Sequence, residues 1–327
     1  MSRRFFLKGM FFLSSLWASE QSPFFCDVAP KDVRTPEEWQ VLQDTLQSLD
    51  LVPLLQQIYP VDQGYTTFDD FLIRCSRGIR QILIDPEKGL FPKKCLEKIG
   101  EGGDLCIVSY ASYNGFYSEF VEANAVALEA VGFNGYYLYS IGDFPSSLDP
   151  TVELAGVPYS FKMGMILEAK KLGFNKVLWI DSAAQPLRDP TPLFDQIEKT
   201  GAVLFVGSPD NTIWRYIFPQ TIQLLQELTG TNVLQQRHIW GAVFGLKLDT
   251  PEASSFIESY YQMAKLGFPF LSCFPEQFVC TAIVGQEKYR HWVEKSTDEL
   301  PNLVYVGLTP QVDALRAMGY YFSIRSH

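Results

Sequence analysis

Lys176-Val177-Leu178-Trp179-Ile180-Asp181-Ser182-Ala183 is the stretch on which the fold of this chain turns. Four consecutive apolar residues with no polar alternation describe a strand covered on both faces, as in a parallel sheet. The run ends on a carboxylate. In open α/β sheets, ligands bind in the crevice beyond the carboxyl ends of the strands. Asp181 is therefore the first candidate site residue. In that position it can hold a divalent cation that neutralises a diphosphate, or accept hydrogen bonds from ribose hydroxyls. A turn or helix-capping aspartate is the plain structural alternative.

Strands and helices alternate on either side of this point. Residues 105–110 (Leu-Cys-Ile-Val-Ser-Tyr) are a second apolar run, with Cys106 reading as a small hydrophobe. A helix is expected over 117–131, ended by Gly132, and a strand over 135–141. The helix over 158–172 places Phe161, Met165, Ala169 and Leu172 at three- and four-residue steps, and Gly173 ends it. Residues 190–199 read as helix and 202–207 as strand. This order implies right-handed crossovers and a doubly wound α/β sheet.

Upstream, residues 30–102 read as helical. Thr35-Pro36-Glu37-Glu38 supplies an N-cap, a first-turn proline and a capping-box glutamate before Leu42, Leu46 and Leu49. The expected organisation is a signal-like or membrane-associating segment at 1–22, a helical extension at 23–102 and a single α/β domain at 103–327.

The length of 327 residues suffices for one large core. A formal net charge of −10 argues against a nucleic-acid partner, which needs a basic footprint. The six cysteines, at 26, 75, 95, 106, 273 and 280, show no zinc-ribbon or CxxC spacing. Ser2-Arg3-Arg4-Phe5-Phe6-Leu7-Lys8, followed by apolar residues to Ala18, reads as a twin-arginine-like export segment or a peripheral membrane contact. The apolar run is too short to span a bilayer. Export sits awkwardly with a nucleotide-sugar substrate, which is made in the cytosol, so a cytoplasmic location is the alternative.

Several blocks follow one another in a telling order. Tyr159-Ser160-Phe161-Lys162 leads into a helix and Gly173-Phe174-Asn175-Lys176 into the Asp181 strand. Asp189-Pro190-Thr191-Pro192-Leu193-Phe194 then opens the next helix. Over roughly 104–285 this order resembles the central block of bacterial GT-A glycosyltransferases of the family 8 type. The resemblance implies a single Rossmann-like GT-A domain with a mixed, mainly parallel sheet. It also implies transfer of a sugar from a UDP- or GDP-sugar to a hydroxyl of a glycan, lipid or protein. Such enzymes usually carry Asp-x-Asp. Here the triplet is Asp181-Ser182-Ala183, and Ala183 ligates nothing, which puts the implied Mn²⁺ or Mg²⁺ in question. A catalytically inactive carbohydrate- or protein-binding module is the second reading.

Carried onto this chain, the resemblance places Ser109, Tyr110 and Ala111 at the base and ribose. It places Lys162 and Ser182 at the diphosphate and Asp181 at the metal. Gln236, Trp240, Gly241 and Gln277 fall on the sugar and acceptor side, with Glu276 binding the sugar or acting as base. Tyr110 is a candidate for base stacking and Trp240 for sugar stacking, core burial being the alternative for Trp240. His238 is a weaker candidate ligand or hydroxyl partner. Glu276, at a helix start, is expected to stay ionised. A sugar nucleotidyltransferase would need a basic Gly-rich loop after the first strand, and 111–115 (Ala-Ser-Tyr-Asn-Gly) has no Lys or Arg. A dehydrogenase would need GxGxxG there.

Overall fold

The structure is a computed structural model, and it describes residues 35–48, 81–142, 157, 159–207, 217–307 and 311–325. The N-terminal export-like segment lies outside these residues, as do Cys26 and Cys75. No helix of the described residues is long and apolar enough to cross a membrane.

A six-stranded sheet forms the centre. Its strands are β1 (Lys93–Ile99), β2 (Leu105–Ala111), β3 (Gly135–Ile141), β4 (Lys176–Ile180), β6 (Ala202–Val206) and β7 (Ile239–Lys247), in the order β1-β3-β2-β4-β7-β6. β3, β2 and β4 are parallel neighbours, while β1 pairs antiparallel with β3, and β7 pairs antiparallel with both β4 and β6. The fold is α/β with a mixed sheet. β2, β3, β4 and β6 point the same way, yet only two of the five pairings are parallel, because β7 inserts between β4 and β6. A second, three-stranded sheet joins β5 (Ala184–Pro186), β9 (Phe322–Ile324) and β8 (Val304–Tyr305).

The expected elements between 105 and 206 form with shifts of at most three residues at their ends. Helix α2 (Tyr117–Ala130) follows β2, α3 (Phe161–Lys171) precedes β4, and α4 (Thr191–Thr200) precedes β6. The helix at 36–48, α1 (Pro36–Ser48), begins with the reciprocal Thr35–Glu38 hydrogen bonds of a capping box. Of the expected helical extension, residues 49–80 lie outside the described residues, and the part at 93–99 is not helical. Lys93–Ile99 is a strand whose outward positions carry Lys93, Lys94, Leu96 and Lys98, and it belongs to the central sheet. Charged residues on an edge strand are a usual defence against further pairing, and on sequence alone they read as a polar helix face. At the other edge, the Leu204 amide donates to Ser296 Oγ of α8 (Arg290–Glu299), which covers β6.

Apolar clusters cover both faces of the sheet. One packs Val108, Trp179 and Phe244 against α3, α6 (Pro251–Leu266) and α7 (Pro275–Val284); the other packs Ile107, Leu178 and Val243 against α2 and α4. Double coverage is the physical reason the strands lack polar alternation. Cys106 is fully buried, and burial pushes its thiol up to about 12, so it is the inert hydrophobe expected. The carboxyl ends of β2, β3, β4 and β6 meet at one edge, which carries Asp181.

Candidate functional site around Asp181

Strand periodicity puts Trp179 and Asp181 on the same face of β4, toward α3. Trp179 is buried and its indole Nε1 donates to Asp181 Oδ1 at 2.9 Å. From the second residue of α3, Lys162 reaches the same oxygen. Its ammonium donates to Asp181 Oδ1 at 2.8 Å, to Glu276 Oε1 at 2.9 Å and to the Gly241 carbonyl at 2.9 Å. An ammonium has three protons, and all three are committed. The Tyr159 and Trp179 rings complete the enclosure, each with its centroid 5.3 Å from the nitrogen. Tyr159 holds φ at +62°, a conformation non-glycine residues rarely adopt, at the turn that delivers Lys162 into this cage.

Lys162 is 1% exposed, Glu276 4% and Asp181 35%. The cluster is therefore a buried ion-pair network with one carboxylate reaching the surface. The charge of two flanking carboxylates outweighs burial at Lys162 and raises its affinity for the proton above the ordinary lysine range. Burial dominates at Glu276 and raises its carboxyl above the usual range despite the attraction of Lys162. Glu276 nonetheless pairs as a carboxylate with the Lys162 ammonium at 2.9 Å. Its second oxygen, Oε2, has no hydrogen-bond partner among the described residues.

Gly241 makes this arrangement sterically feasible. A Cβ there would lie 2.4 Å from Glu276 Oε1, and that oxygen is pinned by Lys162. Gly241→Ala should cost about 1–3 kcal/mol through this overlap, read as a lower urea midpoint. An unchanged midpoint would mean that the Glu276 carboxylate is free to move.

The Asp181 turn is fastened from two distant parts of the chain. Asn124 Nδ2 of α2 donates to the Ser182 carbonyl at 3.0 Å. The Arg325 amide donates to the Ala183 carbonyl at 2.9 Å, and its guanidinium bonds the Phe120 carbonyl at 3.1 Å and lies over the Phe120 ring. Trp179 was not among the expected site residues, although its two-residue spacing from Asp181 along a strand is the signal that puts both on one face. Arg325 carries no local signal, being far away in sequence.

Not every expected site residue joins this cluster. Asp181, Lys162, Glu276 and Gly241 do, but Lys162 does not face an open crevice as the resemblance implied, because protein carboxylates already meet its charge. Gln277 and Trp240 are half-buried beside it. Gln277 Oε1 lies 2.7 Å from His238 Nε2, and Trp240 packs against Phe205 with centroids 5.9 Å apart. Gln236 does not reach the site: it lies against Gly285, at the opposite end of α7 from Glu276. Ser182 is buried, and its backbone carbonyl is what the structure uses.

The end of β2 is likewise closed. Ser109 and Ala111 are buried, and Tyr110 packs on Phe161 at 4.2 Å while its hydroxyl donates to Gln81. Its ring is therefore core and unavailable for stacking on a base. The segment at 81–83 covers this end, with Ile82 bonded to both Asn114 Oδ1 and the Tyr113 amide, and Gln43 of α1 bonded to both Gln81 and Leu83.

His238 is buried, and burial holds its imidazole down at about 4, against the partial support of Gln277. A pKa depressed by folding gives stability that is present above the unfolded value near 6.5 and lost as pH falls through about 4. The loss across that window is about 3 kcal/mol. His238→Phe should flatten this acid limb of stability against pH; an unaltered limb would assign it to other groups.

Among the described residues no three His, Cys, Asp or Glu side chains converge as a metal set. The donors at Asp181 do not suit Mn²⁺ or Mg²⁺ either, since Oδ1 is taken by an ammonium and an indole and Ala183 offers only a methyl. No protein-family model matches the chain, and no curated protein matches it significantly.

Proposed function

We propose that the chain is a GT-A-type glycosyltransferase that moves a sugar from a nucleoside-diphosphate sugar to an acceptor hydroxyl at the Asp181 edge of the sheet. The observation that carries this reading is a carboxylate at the carboxyl end of β4, one oxygen tied to Lys162 and Trp179, the side chain still one-third exposed. A carboxylate so held is oriented before any ligand arrives, which is what a sugar-binding acceptor group requires. Glu276 shares the Lys162 ammonium with Asp181 but is enclosed, so the carboxylate that an acceptor hydroxyl can reach is Asp181. In the transfer, the acceptor oxygen bonds to the sugar's anomeric carbon and its proton passes to Asp181. The bond from that carbon to the diphosphate breaks, and the nucleoside diphosphate departs. Gln277, on the first turn of α7, positions the sugar.

The covered end of β2 favours a second reading, a carbohydrate-binding module of the same fold without transfer activity. A thermal-shift screen of UDP- and GDP-sugars, paired with an assay for released nucleoside diphosphate, separates the two. Stabilisation with release supports the enzyme, whereas stabilisation by glycans alone supports the module. No response to either class would sink both.

A further inference from the structure

We propose that the Lys162 ammonium occupies the place a divalent cation would take at Asp181, so that sugar hydroxyls bond the carboxylate directly and the site takes up no metal. Three observations converge. The ammonium is fully enclosed and sits between the carboxylates of Asp181 and Glu276 at 2.8 and 2.9 Å, as a bridging cation would. Its third proton goes to the Gly241 carbonyl, a group that would otherwise itself suit a hard cation. The position that would supply a second carboxylate from the strand-end turn is Ala183.

Electrostatics point the same way. A divalent ion near Asp181 would meet a fixed positive charge less than 3 Å behind the carboxylate oxygen, and that charge cannot retreat because it is bonded on all sides. Displacing a buried, paired ammonium would leave two carboxylates without their shared partner, whereas an ion at the exposed face of Asp181 would gain one monodentate ligand. A neutral hydroxyl donor carries no such penalty. It needs an oriented acceptor, and the exposed part of Asp181 is one.

The inference relies on the glycosyltransferase reading only for the nature of its ligand. The cation statement stands by itself, and the test separates the two. Mn²⁺ is titrated into the full chain without nucleotide and the free-ion signal is followed by electron paramagnetic resonance. The same is done for Asp181→Asn, Lys162→Met and the double variant. The wild type and Asp181→Asn should leave the signal alike. Lys162→Met should take up about one Mn²⁺ between the two freed carboxylates, and adding Asp181→Asn should abolish that uptake. Mn²⁺ uptake by the wild type that Asp181→Asn removes would overturn the inference, as would a folded Lys162→Met that takes up none. Should Lys162→Met not fold, the comparison of wild type with Asp181→Asn decides. A parallel thermal-shift series with UDP- and GDP-sugars in EDTA or in Mn²⁺ should give equal shifts, and a shift seen only with Mn²⁺ overturns the inference. Absence of any shift, with the wild type silent toward Mn²⁺, supports the cation statement and sinks the glycosyltransferase reading.

Discussion

Replacing Lys162 with Met should lower the free energy of unfolding by about 3–5 kcal/mol, the range seen when one partner of a buried ion pair is removed. Methionine has a similar length, so the loss is chiefly electrostatic: Asp181 and Glu276 would face one another across an apolar side chain. Glu276 suffers most, being enclosed and already raised by burial with Lys162 in place. Without the ammonium it would take up a proton more readily still. An acid raised by folding gives stability that is complete below its unfolded value and lost as pH rises through its folded one, so the variant should weaken as pH increases. In the wild type the Lys162 contribution is complete at neutral pH, because its proton affinity is raised above the ordinary lysine value. Urea unfolding at two pH values checks both statements. A drop of less than about 1 kcal/mol would mean that water reaches the carboxylates and screens them.

Asp181→Asn should weaken binding of a sugar-containing ligand by about tenfold to a hundredfold, the worth of one or two hydrogen bonds to a charged acceptor. The side chain keeps its shape and can still accept from Trp179 and Lys162 through its amide oxygen. The fold should therefore survive while the outward-facing acceptor becomes an amide donor. Calorimetry on the best ligand from the donor screen gives the number. An affinity equal to the wild type's would show that Asp181 is only the anchor of a turn. Loss of folding would instead place its role in charge balance with Lys162.

The pattern of apolar runs and glycine stops was sufficient to draw β2, α2, β3, α3, β4 and α4 within a few residues, because a doubly covered sheet demands uninterrupted apolar strands. β1 was missed for the converse reason: an edge strand exposed along one side carries lysines, and Lys-Lys-Cys-Leu-Glu-Lys-Ile has no apolar stripe to separate strand from helix. Among the candidate site residues, Asp181 was read from its position at a strand end, and Glu276 from the resemblance. The enclosure of Lys162 was not foreseen. A lysine on the first turn of a helix is ordinarily solvated, and nothing local announces two carboxylates 19 and 114 residues further on. Tyr110 misled for a similar reason, since the residues that cover it lie at 81–84.

By itself the sequence determined the alternation of strands and helices and a carboxylate at the end of a buried strand, because apolar periodicity and chain breaks are local properties. Tertiary structure alone decided that Lys162 turns inward, that Gly241 leaves room for Glu276, and that Arg325 fastens the Asp181 turn. Each depends on groups brought together across the sheet, where a low dielectric and fixed distances, rather than residue type, set which charges pair and which protons are held.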